Sequence, residues 1–262
     1  LGKKNFPFIK LSSRIISDYQ GKLLASGICD NTIGFYLHNI KALFRKGCRE
    51  MGLELPCPFR DISIKTKKTL KRSLDPVVIK TLSAIELEKD SPLSLARDIF
   101  MFSFYTRGMS FVDIALLKKR HVFPGEICYR RHKTDQLMRV GINKEISRIL
   151  ERYKNVPGEY IFPLFPAERD PYAGYRNAYH RIRYSLGKIS RVIGLEFPLR
   201  LHAARHSWAT IAKVNGASVH VIGECLGHTS EKTTRIYLKE LDHSALDAVN
   251  NQVADFILAV DD

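Results

Sequence analysis

The sequence lacks the features that mark several large classes of protein. It has no apolar run of the roughly 18–20 residues that a membrane-spanning helix needs, and we find no secretory signal at its start. It also has no internal repeat and no low-complexity tract. Its five cysteines are scattered and form no CxxC pair, so neither a disulfide framework nor a zinc ribbon is predicted. We therefore expect a globular, cytoplasmic protein with reduced thiols and no membrane partner.

What the chain has in excess is positive charge. Its 262 residues include 42 Lys and Arg against 27 Asp and Glu, which gives a formal net charge of +15. The excess is densest near the N-terminus, since residues 1–75 hold 15 of the basic residues but only 6 of the acidic ones. Such a balance is typical of proteins that neutralise nucleic-acid phosphates.

The spacing of apolar residues predicts a mainly α-helical fold with a small β-sheet. One apolar stripe ends near Gly27, and a longer one follows the plausible caps Asp30 and Asn31, which predicts a helical N-terminal part. From about Leu74 the pattern becomes α+β, with strands at Glu126–His132 and Leu137–Ile142. Further helices are expected at Ser83–Glu88, Ser94–Tyr105, Phe111–Lys118, Asn143–Tyr153, Tyr172–Ile193, His202–Asn215, Ser218–Cys225, Ser230–Leu238 and about 244–258.

One segment, Leu201–Leu238, carries residues suited to phosphate chemistry. His202 stands three residues before Arg205, a Gly-His pair then supplies His228, and Tyr237 follows nine residues later. Arginine offers a planar fork of donors to two phosphate oxygens, histidine can donate or exchange a proton, and a phenol can attack phosphorus once cations favour its phenolate. Each residue alone is more often a packing or surface group. The prediction of a phosphate site therefore depends on their order and spacing.

A metal site is not predicted in this segment. His202 and His206 lie four residues apart, but no glutamate follows His202 in the HExxH manner of zinc enzymes. The expected chemistry therefore uses side chains alone.

The segment resembles the C-terminal active-site block of the tyrosine recombinases, the phage integrase family. The resemblance implies a site-specific recombinase in which Tyr237 forms a 3′-phosphotyrosine and releases a 5′-hydroxyl, with no metal, ATP or other cofactor. Arg205, His202 and His228 would then act on the phosphate. It also implies a general-acid lysine on an upstream β-hairpin. The segment YRRHKTDQ supplies Lys133 for that role, with its two neighbouring arginines as competing cations.

One element departs from the family pattern, which has a TGLR-like stretch followed shortly by an acidic residue. In the matching segment YTRGMSFVDIALL, aligning Gly108 and Asp113 puts Ser110 where the first catalytic arginine is expected. Arg107 lies three residues earlier, and on a helix the two would share a face. We hypothesise that Arg107 reaches the phosphate instead, with Ser110 donating a weaker hydrogen bond; the alternative is that Arg107 is structural.

The family layout implies two domains on double-stranded DNA. Residues 1–68 would form a helical core-binding domain, and residues 69–262 a catalytic domain ending in an exchange helix at about 244–258. That helix docks on a neighbouring protomer or packs on its own domain. Many members carry an arm-binding domain before these two, and the start at Leu1 permits one here. Four protomers on two DNA sites would be the functional unit. Expected DNA contacts are Lys65, Lys67, Lys68, Lys71, Arg72, Arg176, His180 and Arg183.

Two other functions stay open from the sequence. A type IB topoisomerase uses similar chemistry to relax supercoiled DNA as a monomer. A DNA-binding regulator with a decayed active site would explain the missing arginine. Formation of a covalent protein–DNA adduct separates the regulator from the two enzymes.

Overall fold

The computed structural model describes residues 6–64, 73–165, 171–228, 230–238 and 253. The chain divides into two compact units, Leu1–Leu70 and Lys71–Asp262. The expected basic contacts at residues 65–72 and the expected helix at about 244–258 lie outside the described residues, apart from Val253. Within the described part, no helix combines the length and the apolar character needed to cross a membrane.

In its described residues the first unit contains two α-helices, as its apolar stripes predict. Helix α1 spans Ser13–Ala25 and begins where the Ser12 side chain accepts a hydrogen bond from the backbone N–H of Ile15. Helix α2 spans Asp30–Glu50. Its N-cap is Cys29 rather than Asp30 or Asn31, because the extended backbone ends one residue earlier than the polar pair suggests. The core of the unit consists of Ile16, Ile33, Leu37 and Phe59.

The second unit is α+β. Its three strands are β1 (Val122–Phe123), β2 (Glu126–Arg130) and β3 (Leu137–Gly141), which form one antiparallel sheet in that order. Its helices are α3 (Pro76–Ala84), α4 (Pro92–Tyr105), α5 (Phe111–Ala115), α6 (Lys144–Arg152), α7 (Pro171–Val192), α8 (Leu201–Val214), α9 (Val219–Leu226) and α10 (Glu231–Tyr237). The prediction of a mainly helical fold with a small sheet is confirmed.

Helix α4 is the centre of this unit, packed against α6, α7 and α8. Its residues Ile99, Phe100 and Phe102 are fully buried. One face of the β2–β3 hairpin is buried too, through pairs such as Ile127 opposite Val140. Successive side chains of a strand point to opposite faces, so the other face of the hairpin is more exposed, as is its turn.

A buried carboxylate connects α4 to α6. Asp98, whose side chain is 3% exposed, accepts hydrogen bonds from Arg97 Nε (2.6 Å), Arg152 Nη1 (2.5 Å) and the Tyr153 hydroxyl (2.8 Å). Burial and the nearby Asp98 charge raise the pKa of Tyr153, so its phenol stays protonated and donates. Three donors around one carboxylate satisfy a charge that is otherwise costly to bury.

The predicted helix at Ser83–Glu88 is wrong. Helix α3 instead starts at Pro76, where the Asp75 side chain accepts from the Val77 N–H, and it ends at Ala84 because Ile85 is extended. Proline favours the first helical position, where its missing N–H has no partner to lose. The Asp75-Pro76 pair was therefore the stronger signal.

Candidate active site

Helix α8 presents the HxxR pair near its N-terminus. His202 is exposed in its first turn, whereas Arg205 is only 5% exposed. A guanidinium is charged at every physiological pH, so a buried arginine needs several acceptors around it. Arg205 is therefore the fixed centre of the site, and His202 stands at its solvent side.

The Arg205 guanidinium joins three parts of the chain that are remote in sequence. Its Nη1 donates to the Gly108 carbonyl at 2.8 Å, and its Nη2 donates to the Leu226 carbonyl at 2.5 Å. The same Nη2 lies 2.9 Å from Nε2 of His228. The structure thus brings together Arg205 and His228, two of the three residues of the Leu201–Leu238 segment that were predicted to act on one phosphate.

Gly108 allows this close approach. It adopts a positive φ of 75°, and a Cβ placed on it would lie 2.5 Å from Cγ and 2.8 Å from Cα of Arg205. The turn before it is tight as well, because Arg107 also has a positive φ of 60° and the Gly108 N–H bonds to the Ser103 carbonyl. Only glycine combines this φ with an absent side chain.

The structure corrects the expected geometry of Arg107 and Ser110. They do not lie on one helix, because α4 ends at Tyr105 and Ser110 is the N-cap of α5. The Ser110 hydroxyl donates to Asp113 Oδ2 at 2.5 Å and accepts from the Asp113 N–H at 3.4 Å. Arg107 is half-buried in the turn beside Gly108, and its Nη1 lies 3.5 Å from the Arg139 carbonyl.

His228 follows the end of α9, where Gly227 takes the left-handed conformation with φ 63°. Since Arg205 can only donate, Nε2 of His228 accepts and the ring proton sits on Nδ1. That atom lies 3.0 Å from the Thr234 hydroxyl oxygen. Burial, followed by the positive charges of Arg205, Arg131 and Lys133, lowers the pKa of His228 to about 4. The imidazole is therefore neutral at neutral pH.

Helix α10 carries the predicted nucleophile. It begins after Ser230, whose side chain accepts from the Thr233 N–H, and Tyr237 is its last residue. The Tyr237 side chain lies outside the described part. Thr234, one turn earlier, is fully buried and packs against Gly223 of α9, where a Cβ would meet its Oγ1 at 2.8 Å. The contact of Thr234 with His228 therefore attaches the Tyr237 helix to the site, a tertiary contact that the sequence did not reveal.

Lys133 lies in the exposed turn between β2 and β3. Three backbone hydrogen bonds of Arg131 close this turn, and the His132 N–H donates to Asp113 Oδ1 at 2.8 Å. The Arg131 guanidinium also donates to the Gly227 carbonyl, directly before His228. The positive charge of Lys133 is the last of those that lower the pKa of His228.

The predicted DNA contacts on α7 are exposed. Arg176, His180 and Arg183 all face solvent, as the spacing of the stripe requires. His180 and Arg183 line a groove of about 460 Å³ between α7 and the segment that leads into α8. Three further cations, Lys188, Arg191 and Arg200, line the same groove.

Known proteins resemble this chain in sequence. The family model described as the phage integrase family matches residues 73–243. The tyrosine recombinase XerC of Shewanella oneidensis is 26% identical over 226 residues, which cover 82% of this chain and 70% of that protein. The tyrosine recombinase XerD of Pseudomonas putida is 36% identical over a shorter stretch of 94 residues, covering 34% of this chain and 30% of that protein.

Solved structures share the fold at lower identity. The Tn1549 transposon integrase, in complex with circular intermediate DNA, matches with a TM-score of 0.68 at 17% identity, over 93% of this chain and 86% of that one. A lambda integrase dimer bound to a COC′ core site matches with a TM-score of 0.66 at 17% identity, over 90% of this chain and 82% of that one.

Proposed function

The chain belongs to the phage integrase family, the tyrosine recombinases, and we propose that it cuts and rejoins DNA strands with Tyr237 as the nucleophile. Enzymes of this family are site-specific recombinases that need neither metal nor ATP. One observation carries the assignment of the site in this chain. The Arg205 guanidinium is held by the Gly108 and Leu226 carbonyls in direct contact with His228, next to the helix that ends at Tyr237.

The cleavage step transfers the scissile phosphoryl group from the 5′ oxygen of the DNA to the oxygen of Tyr237. The Tyr237 phenolate attacks the scissile phosphorus, a P–O bond to tyrosine forms, and the bond to the 5′ oxygen breaks. Arg205 stabilises the non-bridging oxygens, since its donors are held in place before the reaction. His228 is neutral at neutral pH, so the positive charge of this pair comes from Arg205.

The departing 5′ oxygen needs a proton. Lys133 is the acid in our proposal, because its turn is held by Arg131 and Asp113 while its ammonium stays exposed towards solvent and substrate. We assign His202, which is exposed at the start of α8, to act on the same phosphate. Attack by a 5′-hydroxyl of a partner strand reverses the step and restores the phosphodiester.

We assign the place of the missing first arginine to Arg107. Ser110 is engaged with Asp113 in capping α5, which makes it a poor replacement. Arg107 adjoins Gly108, whose carbonyl binds Arg205, so its side chain starts from the same turn as the phosphate site. A second guanidinium there would complete the charge that the phosphorane requires.

The proposal extends to the other domain and to assembly. Residues 1–68 form the core-binding domain, and the basic residues at 65–72 together with Arg176, His180 and Arg183 contact the DNA backbone. A lambda integrase tetramer bound to a Holliday junction matches this chain with a TM-score of 0.63 at 16% identity. We propose the same tetrameric state, with the C-terminal segment at about 244–258 as exchange helix. We also propose that the protein is cytoplasmic, because it acts on DNA and its cysteines are expected to be reduced.

A nicked suicide duplex tests the function. Genomic fragments recovered as covalent adducts supply the site, and the duplex carries a nick so that the short cleaved strand diffuses away. We expect an adduct that forms in EDTA without ATP and disappears in Tyr237→Phe. Absence of adduct on every recovered site favours the DNA-binding regulator. Relaxation of plasmid that lacks the site favours the topoisomerase.

A further inference from the structure

Two guanidinium groups bind two consecutive carbonyls at the turn before His228. Arg205 from α8 donates to the Leu226 carbonyl, and Arg131 from the β2–β3 hairpin donates to the Gly227 carbonyl, 96 residues away in sequence. Arg205 belongs to the site as already described. Arg131 has no part in the proposed chemistry, yet it makes the equivalent contact on the adjacent residue.

The backbone of Arg131 also closes the turn that carries Lys133. Its N–H donates to the Gln136 carbonyl at 2.9 Å, and its carbonyl accepts from the Asp135 N–H at 2.8 Å and the Thr134 N–H at 3.3 Å. A single residue therefore holds the Lys133 turn with its backbone and the His228 turn with its side chain. This double connection sets the distance between the two turns.

The packing around Gly227 shows how close the two turns are. A Cβ on Gly227 would meet Met138 Sδ at 2.9 Å, Gln136 Oε1 at 3.2 Å and Arg131 Nη1 at 3.3 Å. The hairpin thus rests directly on the turn, and the glycine leaves the space in which the guanidinium reaches its carbonyl. Arg130 differs, because it is exposed and bonds only to Asp135 of its own hairpin in the contacts described.

We propose that Arg131 is a positioning residue that holds Lys133 over the departing 5′ oxygen. The inference rests on the proposed function, in which Lys133 is the general acid. Without the contact to Gly227, the hairpin keeps its own turn hydrogen bonds and the His132–Asp113 contact, but loses the side-chain hydrogen bond that connects the Lys133 turn to the turn before His228. The acid is then misplaced while the phosphate-binding residues stay where they are.

The leaving group distinguishes this role from a general loss of structure. Two suicide duplexes are compared, one with the normal 5′ oxygen and one with sulfur as the bridging atom at the scissile phosphate. A thiol has a pKa of about 8.5, against about 15.7 for water, so a thiolate leaves without a proton whereas an alkoxide does not. Cleavage of the P–S bond therefore bypasses the acid.

Arg131→Gln should cleave the oxygen duplex roughly 100-fold more slowly than the unmodified protein, as general acids contribute about 10²–10⁴-fold. On the sulfur duplex its rate should return to within about threefold of the unmodified protein, the pattern also expected for Lys133→Ala. Arg139→Gln, on exposed Arg139 of the same hairpin, is the charge-matched control and should cleave both duplexes at the normal rate.

Three results would overturn the proposal: normal cleavage of the oxygen duplex by Arg131→Gln, equal slowing on both duplexes, or the same slowing in Arg139→Gln. If Arg131→Gln does not fold, as judged by thermal unfolding, Arg131→Lys is measured instead and must show the same selective recovery on sulfur. Failure of the unmodified protein to form an adduct with either duplex refutes the proposed function itself, and the role of Arg131 with it.

Discussion

Replacing Gly108 with alanine adds one methyl group at the point where the turn after α4 meets Arg205. Two effects add. A non-glycine residue at φ 75° costs roughly 1–2 kcal/mol. The new Cβ would lie 2.5 Å from Cγ and 2.8 Å from Cα of Arg205, and relieving such overpacking costs typically about 1–3 kcal/mol. The expected loss is therefore about 2–5 kcal/mol, because the backbone atom cannot rotate away as a side-chain end can.

This loss has two measurable consequences. About 2–4 °C of Tm per kcal/mol in a domain of this size gives a decrease of roughly 4–20 °C in the Tm. Adduct formation with the suicide duplex, measured well below the Tm, should fall about 100-fold, because a displacement on the order of 1 Å in a positioned group has that effect. The guanidinium is displaced since Gly108 supplies one of its own acceptors.

Gly125 offers a matched control. It has φ 82°, but a Cβ placed there meets nothing within 4 Å. Gly125→Ala therefore has the backbone strain without the contact, and should lower the Tm by only about 2–8 °C with an unchanged cleavage rate. If Gly108→Ala lowers the Tm no further than Gly125→Ala and cleaves at the normal rate, the Gly108 turn does not position Arg205.

Three further predictions address the remaining parts of the site and its support. Arg107→Ala should reduce adduct formation by about 10²–10³-fold, and Arg107→Lys should not restore it. Ser110→Ala should only lower the Tm, because it removes the N-cap of α5. Normal cleavage by Arg107→Ala would show that Arg107 is not part of the site. The pKa of His228 is about 4 in the folded state against an ordinary 6.5, so the unfolded chain binds the proton more tightly. The contribution of neutral His228 to the free energy of unfolding is therefore complete above pH 6.5 and is lost as the pH falls towards 4. Thermal unfolding should therefore show a Tm that decreases from pH 7 to pH 4.5, with a smaller decrease in His228→Gln; parallel curves contradict the assignment. Asp98→Asn removes the negative charge that pairs with two arginines and replaces one of its two acceptor oxygens with an amide donor. It should lower the free energy of unfolding by about 3 kcal/mol, at the low end for a broken buried pair because Arg152 stays partly solvated, without changing the cleavage rate of the folded protein. A cleavage defect at full stability counts against a purely structural role.

The sequence predicted the long helices and the order of the site residues, because both depend on local spacing. Helices α4, α7 and α8 follow their apolar periodicity closely. The N-cap at Ser110 could also be predicted, because serine followed three residues later by an acidic residue is typical of a helix start. Reading it as a cap would have removed Ser110 from the candidate site.

Other features depend on contacts between remote segments, which periodicity does not encode. Arg107 takes a left-handed conformation that arginine rarely adopts, so the prediction that it could share a helix face with Ser110 was wrong. Arg130 and Arg131 are adjacent and chemically identical. Only the tertiary structure separates the exposed Arg130 from the Arg131 that contacts Gly227. The contact of Thr234 with His228 is of the same kind.

The ring of His228 connects the nucleophile helix to Arg205 through a single proton. A neutral imidazole has one N–H, so donating to Thr234 through Nδ1 leaves Nε2 as an acceptor for Arg205. The contact of Nδ1 with Thr234 on α10 therefore favours the tautomer in which Nε2 accepts from Arg205. The helix that ends in Tyr237 and the guanidinium of Arg205 thus share one imidazole as their common contact.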